Sequence, residues 1–150
     1  MAEEVTKQII VNRPARDVYG LWADFENFPK FMHNIESVTR TGPGMTHWQM
    51  RGPLGSTLDW DAGVTRDDPA RAIAWQSTGG DVDMAGQVTF TPRDDGTTEI
   101  TLTMRYSPPG GKIGTAISRI INQDPEQLVD EDLRNFKLYA EGRQGAQDVH

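Results

Sequence analysis

Strict alternation of apolar and polar residues runs through the middle of this 150-residue chain and constrains its fold more than any other feature. In the segment TLDWDAGV, Leu58, Trp60, Ala62 and Val64 fall on one side of an extended strand, and the aspartates fall on the other. The segment TEITLTMRY repeats the pattern. Because successive side chains of a strand point to opposite faces, this period predicts an antiparallel sheet with one buried face.

Clusters of glycine, proline and aspartate separate the alternating segments at intervals of roughly 10 to 15 residues, a spacing typical of strands joined by short loops. We therefore predict a first strand over residues 5–11 and a meander of six further strands between Glu36 and Tyr106. The turn clusters are Gly42-Pro43-Gly44, Gly52-Pro53-Leu54-Gly55, Asp67-Asp68-Pro69, Gly79-Gly80-Asp81 and Asp94-Asp95-Gly96.

Two short helices are predicted between the first and second strands. The first begins at Pro14, because proline suits the first turn of a helix. The second is capped by Asp24 and is broken or bent by Pro29. The buried stripe of the first helix consists of Val18, Leu21 and Trp22.

The C-terminal part of the chain is predicted to be helical in two segments. Apolar residues follow helical spacing over residues 113–121, and a second helix begins at Pro125, with Asp124 as its N-cap and Gln127 completing a capping box. It ends at Gly142. Its apolar stripe is Leu128, Val129, Leu133, Phe136 and Ala140, and its early acidic residues, which the helix dipole favours, are Glu126, Asp130, Glu131 and Asp132.

Residues 108–111, two prolines and two glycines, join the last strand to these helices. Proline cannot continue a strand ladder, and glycine permits the turn that folds a helix back across the sheet. A sheet with one apolar face must cover that face, and the C-terminal helix is the largest cover available. We predict one α+β domain over residues 1–150, a curved seven-stranded antiparallel sheet wrapped around a long C-terminal helix.

Composition restricts the partners of such a domain. The net charge of −7 and the pI near 4.9 argue against nucleic acid and anionic membranes as partners. The chain has no cysteine, which excludes disulfides and thiolate chemistry. It opens with the acidic MAEEV, lacks a signal-peptide pattern and has no apolar run long enough for a membrane span. We expect a cytoplasmic protein.

Two features superficially suggest ion or phosphate sites. The segment GGKIGT lacks the spacing of a phosphate-binding loop and is better explained as a strand-to-helix joint. Asp59 and Asp61 face away from Trp60 and are expected in solvent, while His33, His47 and His150 are dispersed. We expect no metal site and no cofactor.

The order of elements and four stretches resemble a known superfamily. The stretches are RPARDVYGLWADFENFPKFM, WDAGVTRDDPARAIAWQSTGG, YSPPGG and DLRNFKLYAEG. They resemble the bacterial polyketide cyclase/dehydrase branch of the START and Bet v 1-like (SRPBCC) helix-grip superfamily, over roughly residues 4–142. The resemblance implies a hydrophobic cavity between sheet and long helix. Some relatives cyclise or aromatise polyketides, and others bind quinones, lipids or hormones without chemistry.

Aromatic and methionine side chains are the candidates for the cavity lining, with ordinary core packing as the alternative interpretation. Methionine adapts its shape and tryptophan offers a wide face, so such a set suits a flat or flexible apolar ligand. The candidates are Phe28, Phe31, Met32, Trp48, Met50, Trp60, Trp75, Met84, Met104, Tyr106, Ile117, Ile121 and Phe136.

Catalysis would require polar groups inside the cavity, since cyclisation of a polyketide needs a base and a hydrogen-bond donor. The inward positions are almost wholly apolar, and no catalytic residue is identified. This shortage favours binding of a small hydrophobic molecule over a cofactor-independent cyclase, aromatase or dehydratase; a structural partner module is a third possibility. The polar candidates are His33, His47 or Gln49 if their strand has the reverse register, Arg51, Ser77, Arg105 and Tyr106.

Overall fold

Seven antiparallel strands form one sheet in this computed structural model, which describes residues 3–32, 34–51, 55, 57–81, 83–106 and 125–142. The strands are β1 (Glu3–Val11), β2 (Ile35–Gly42), β3 (Met45–Arg51), β4 (Thr57–Asp68), β5 (Ala72–Gly80), β6 (Met84–Pro92) and β7 (Thr98–Tyr106). Their order in the sheet is β1-β7-β6-β5-β4-β3-β2. The predicted first strand and six-strand meander are therefore confirmed.

The register places the apolar residues of the alternating segments on one face. Trp60 is buried and Asp61 is exposed on β4, and Trp48 of β3 lies directly opposite Trp60. β1 closes the far side of the meander by pairing with β7, where Ile9 lies opposite Ile100. The period-2 pattern thus produces a sheet with one buried face.

The two predicted short helices are present, but their ends differ in detail from the prediction. α1 (Ala15–Ala23) begins one residue after Pro14, whose carbonyl accepts hydrogen bonds from the amides of Asp17 and Val18. The second element, Phe25–Lys30, is a 3₁₀ helix with Pro29 inside it. The expected Asp24 side-chain cap is wrong, because the Asp24 side chain makes no capping bond and only its carbonyl accepts one, from the amide of Asn27.

The C-terminal helix α2 (Pro125–Ala140) begins at the predicted proline. All five residues of its predicted apolar stripe are buried. The helix ends as expected at Gly142, which has φ +77° and donates its amide to the carbonyl of Tyr139. The joint at residues 108–111, the helical segment at 113–121 and the Asp124 cap lie outside the described residues.

Polar contacts hold the end of α2 against the start of the chain. The Glu141 carboxylate accepts hydrogen bonds from the Asn12 amide at 2.8 Å and from the Lys137 ammonium at 2.7 Å. The Arg13 guanidinium donates to the carbonyl of Ala140 at 2.8 Å. These bonds satisfy groups at the helix terminus and fix the helix relative to β1.

An aromatic cluster packs the same helix against the two short helices. The ring of Phe136 lies edge-on to Trp22 at 4.8 Å and to Phe31 at 4.9 Å, measured between centroids. All three residues are fully buried. Edge-to-face geometry is favourable for aromatic rings, so this part of the interior is solid core.

Candidate functional site

A partly enclosed cavity of about 50 Å³ lies between the buried face of the sheet and α2. Of the twelve described residues that line it, ten are apolar and two are polar. Its volume holds a few water molecules, whereas sites for small organic ligands span about 300–1,000 Å³. The lining residues are Phe28, Met32, Asn34, Ile35, Trp48, Met50, Trp60, Trp75, Met84, Met104, Leu128 and Asp132.

Three tryptophans form the wall of the cavity on the sheet side. Trp48 and Trp60 are cross-strand partners whose rings stack with centroids 5.7 Å apart and planes 18° apart. The Trp48 indole nitrogen donates to the hydroxyl of buried Thr46 at 2.7 Å, so its polar atom is satisfied. Trp75 enters from β5. The wall therefore presents wide aromatic surfaces to the cavity, and the N–H group of Trp48 is already hydrogen-bonded.

Four methionines complete much of the remaining surface. Met32, Met50, Met84 and Met104 are each buried, with at most 8% of their surface exposed. Methionine has three rotatable side-chain bonds and fills irregular space. The size of the cavity is therefore set by side chains that can change rotamer without moving the backbone.

Eight of the thirteen residues predicted for the cavity lie together in its lining. Phe31 and Phe136 instead pack around Trp22 in the aromatic cluster. Ile117, Ile121 and the side chain of Tyr106 lie outside the described residues. That a ligand occupies this space remains a prediction.

The polar candidates on β3 lie on the opposite face of the sheet. The His47 ring nitrogen Nδ1 is 2.9 Å from a carboxylate oxygen of Asp61, and Gln49 accepts a hydrogen bond from the Ser37 hydroxyl at 2.9 Å. The register is therefore the expected one, with Trp48 and Met50 facing inward. The reversed register that would bring His47 or Gln49 into the cavity is wrong.

The remaining candidates also have structural partners. The Ser77 hydroxyl donates to the Asp83 carboxylate at 3.0 Å and accepts the Met84 amide at 3.0 Å, which ties the ends of β5 and β6 together. Arg51 is exposed with its guanidinium 3.7 Å from Glu36, and Arg105 pairs with Glu4 at 2.8 Å. His33 lies outside the described residues.

Sequence reasoning missed Asn34 and Asp132, the two polar residues among the described part of the lining. The expected role of the helix dipole does not apply to Asp132, because the residue lies beyond the first turn of α2, where Glu126 is the acidic residue, and it borders the cavity instead. The signal was present in the spacing, since Leu128, Asp132 and Phe136 are each four residues apart and share one side of a helix. Asn34 follows the 3₁₀ helix, and no periodic spacing in the sequence indicates that its side chain faces the cavity.

The environment of Asp132 favours its uncharged form. The residue is half-buried as a whole, but the protein around its carboxyl group excludes enough water to raise its pKa well above the usual 3.8. The negative charge of neighbouring Glu131 raises the pKa further. Within the described residues, no hydrogen bond or ion pair to the Asp132 carboxyl group offsets these effects. A carboxyl group in such a setting keeps its proton to a higher pH than an exposed aspartate does, and in its protonated form it can donate a hydrogen bond.

Other surfaces of the described chain do not form a comparable site. A groove of about 440 Å³ on the outer face of the sheet is lined largely by threonine, glutamine and charged residues, as expected for a solvated face. No group of three metal-ligating side chains comes together among the described residues. No described helix is both long and apolar enough to cross a membrane.

An antiparallel sheet with a C-terminal helix against its apolar face defines an α+β protein of the helix-grip class. A family model described as polyketide cyclase / dehydrase and lipid transport matches residues 11–133. The chain belongs to this family, and the resemblance seen in the sequence is confirmed.

Several known proteins are similar to this chain. An uncharacterised 17.2 kDa protein of Streptomyces lincolnensis is 32% identical over 142 residues, which cover 93% of this chain and 91% of the relative. The Zhui aromatase/cyclase from Streptomyces sp. R1128 is 19% identical, with a TM-score of 0.71 and 95% and 96% of the two chains covered. A START superfamily protein from Mycobacterium smegmatis is 16% identical, with a TM-score of 0.69 and coverages of 93% and 95%. The two structural likenesses establish the shared fold.

Proposed function

We propose that this protein binds a small hydrophobic molecule, such as a lipid, a quinone or a polyketide-like compound, in the cavity between the sheet and α2. The observation that carries the proposal is the composition of the described lining, in which ten of twelve residues are apolar around a space that is not completely filled. Such concave, mainly apolar sites with a few polar groups are typical of small-molecule binding. The family description, which includes lipid transport, agrees with this function.

The size of the cavity determines how binding would occur. A ligand larger than a few water molecules requires the lining to move outward, and the four methionines can do this by changing rotamer. The stacked pair of Trp48 and Trp60 then offers a flat surface for a ring system or an extended chain. The proposed ligand is therefore flat or flexible rather than bulky and rigid.

Native mass spectrometry of the freshly purified protein tests the proposal, combined with organic extraction and identification of whatever is released. A stoichiometric apolar adduct is the expected result, and its chemistry names the ligand class. A bare mass after purification, together with no saturable uptake of added quinones, fatty acids or polyketides, would contradict the proposal. Comparison with a Trp60→Ala variant shows whether uptake takes place in this cavity.

A second candidate is a cofactor-independent polyketide cyclase, aromatase or dehydratase. The observation in its favour is Asp132, a carboxyl group with a raised pKa beside an apolar cavity, which is the type of group that general acid catalysis requires. Incubation with a poly-β-ketone separates the two candidates. Cyclised or dehydrated product that disappears in Asp132→Asn, while ketone binding is retained, would establish the enzyme.

The proposed binding protein acts as one domain over residues 1–150 in the cytoplasm. Its net charge of −7 is consistent with a protein that docks to neither nucleic acid nor an anionic membrane surface. Fractionation of cells that express the tagged chain tests the location, and limited proteolysis tests the single domain.

A further inference from the structure

The two polar residues in the described lining of the cavity come from segments that lie side by side. Asn34 follows the 3₁₀ helix, and Asp132 lies on α2. The Asn135 side-chain amide, one turn after Asp132, donates a hydrogen bond to the carbonyl of Phe31 at 3.2 Å and holds the segments together. The lining therefore has a polar part where these segments meet and an apolar remainder.

Neither polar side chain makes a hydrogen bond within the described part of the protein. No hydrogen bond joins the Asn34 amide or the Asp132 carboxyl group to another described side chain or backbone group. Buried polar groups in proteins are normally paired, because an unpaired group loses its bonds to water without replacement. The Asn34 and Asp132 side chains are half-buried, so each can bond to water in the empty cavity and would lose that bond when a ligand enters, unless the ligand supplies a polar atom in its place.

We propose, on the basis of the binding function above, that the ligand is an oxygenated apolar molecule whose carbonyl or hydroxyl oxygen lies against Asp132 and Asn34. A protonated carboxyl group donates one hydrogen bond to a carbonyl oxygen, and the Asn34 amide can donate or accept a second. A pure hydrocarbon leaves both groups unpaired, so the cavity discriminates against it.

The same lining disfavours an anionic ligand. Asp132 is the only titratable side chain among the described lining residues, and no described lysine or arginine lines the cavity. A fatty-acid carboxylate would therefore be buried without a positive partner, at considerable cost. The favoured class is neutral: ketones, quinones, phenols or alcohols on an apolar framework.

A matched pair of probes tests this class. 1-Tetralone and tetralin share a carbon framework and differ by one carbonyl oxygen, and equilibrium dialysis measures the Kd of each. We expect the wild-type protein to prefer tetralone. In Asp132→Leu the ratio of the two affinities should fall roughly two- to tenfold, the effect of one neutral hydrogen bond. Asp132→Asn, whose amide still donates, should largely retain the preference.

Asp130→Asn is the control, because its carboxylate lies on the same helix, pairs with Arg134 and does not line the cavity. Thermal unfolding checks that each variant is folded. If Asp132→Leu does not fold, Asn34→Leu is the second test, and we expect its preference for tetralone over tetralin to fall as well. If both probes bind and the ratio of their affinities is unchanged in Asp132→Leu and in Asn34→Leu, this inference is overturned and the binding function is left intact. Failure of the wild-type protein to bind either probe overturns this inference, and the binding function is overturned as well only when added quinones, fatty acids and polyketides are not taken up.

A pH series provides a second readout. As the pH rises through the raised pKa of Asp132, the proton donor becomes a carboxylate, and the wild-type preference for tetralone should fall. Glu131 is the charged neighbour on α2, and the described lining residues from the sheet and the 3₁₀ helix carry no titratable group. The Asp132→Asn preference should persist across the series, and an equal decline in this variant overturns the assignment to Asp132.

Discussion

The indole ring of Trp75 lies across the backbone of Gly86, its cross-strand partner on β6. A Cβ atom at position 86 would stand 2.3 Å from Cζ2 of the Trp75 ring, well inside van der Waals contact. Glycine is therefore required here because any side chain would clash with the ring, and not because of the backbone conformation, which is not left-handed at this position. The absence of one side chain lets a tryptophan on the next strand lie flat in the wall of the cavity.

Gly86→Ala is expected to destabilise the protein by about 1–3 kcal/mol, because the ring must leave its position in a packed core. Chemical denaturation measures the change, and near-ultraviolet circular dichroism reports the displaced indole. Gly79→Ala on β5 is the matched control, since a Cβ there meets no atom within 4 Å. Equal losses in the two variants would contradict the steric explanation.

Met50→Ile tests whether methionine flexibility enlarges the cavity. Isoleucine is similar in volume but stiff at χ1, so stability should change by less than about 1.5 kcal/mol while affinity for large probes falls severalfold. Dialysis with probes of increasing size measures the effect. Met45→Ile is the control, because Met45 lies on the same strand and outside the lining. Unchanged affinity for large probes in Met50→Ile would show that the cavity opens in another way.

Asp132→Asn should stabilise the protein increasingly as the pH rises. The folded-state pKa of Asp132 is raised, so in the wild type stability is greatest below the unfolded-state value near 3.8 and declines until the pH passes the folded-state value. The variant has no proton to lose at this position. Urea unfolding at pH 4, 6 and 8 measures the difference, with Asp130→Asn as the control. A difference that is constant across these pH values would mean that Asp132 is not desolvated.

Glu141→Ala should loosen the C-terminal helix from the start of the chain. Its carboxylate accepts bonds from the Asn12 amide and the Lys137 ammonium, and only 6% of its side chain is exposed, so its removal should cost about 1–3 kcal/mol.

Glu36→Ala is the matched control for Glu141→Ala. The Glu36 side chain is 40% exposed and lies 3.7 Å from Arg51, and such surface pairs contribute at most about 1 kcal/mol. Denaturant unfolding compares the two variants, and hydrogen exchange of the α2 amides locates the effect. Losses of the same size would show that the Glu141 contacts do not anchor the helix.

Much of the fold followed from local patterns. The alternation around Trp60 and the helical spacing of Leu128, Leu133 and Phe136 depend on side chains a few residues apart, and both predicted the buried faces correctly. The predictions that failed concern local backbone geometry, which such patterns do not specify. Asp24 has a residue type that caps helices, but the segment that follows it is a 3₁₀ helix and its side chain makes no capping bond.

The sequence by itself determined which residues face inward, because strand and helix periods assign each side chain to a face. Only the tertiary structure decided which inward residues meet a cavity and which form solid core. Phe136 and Asp132 lie one turn apart on the same helix, yet Phe136 packs against Trp22 and Asp132 lines the cavity. The distinction arises from the elements that meet opposite each turn, and those contacts join residues about a hundred positions apart in the chain.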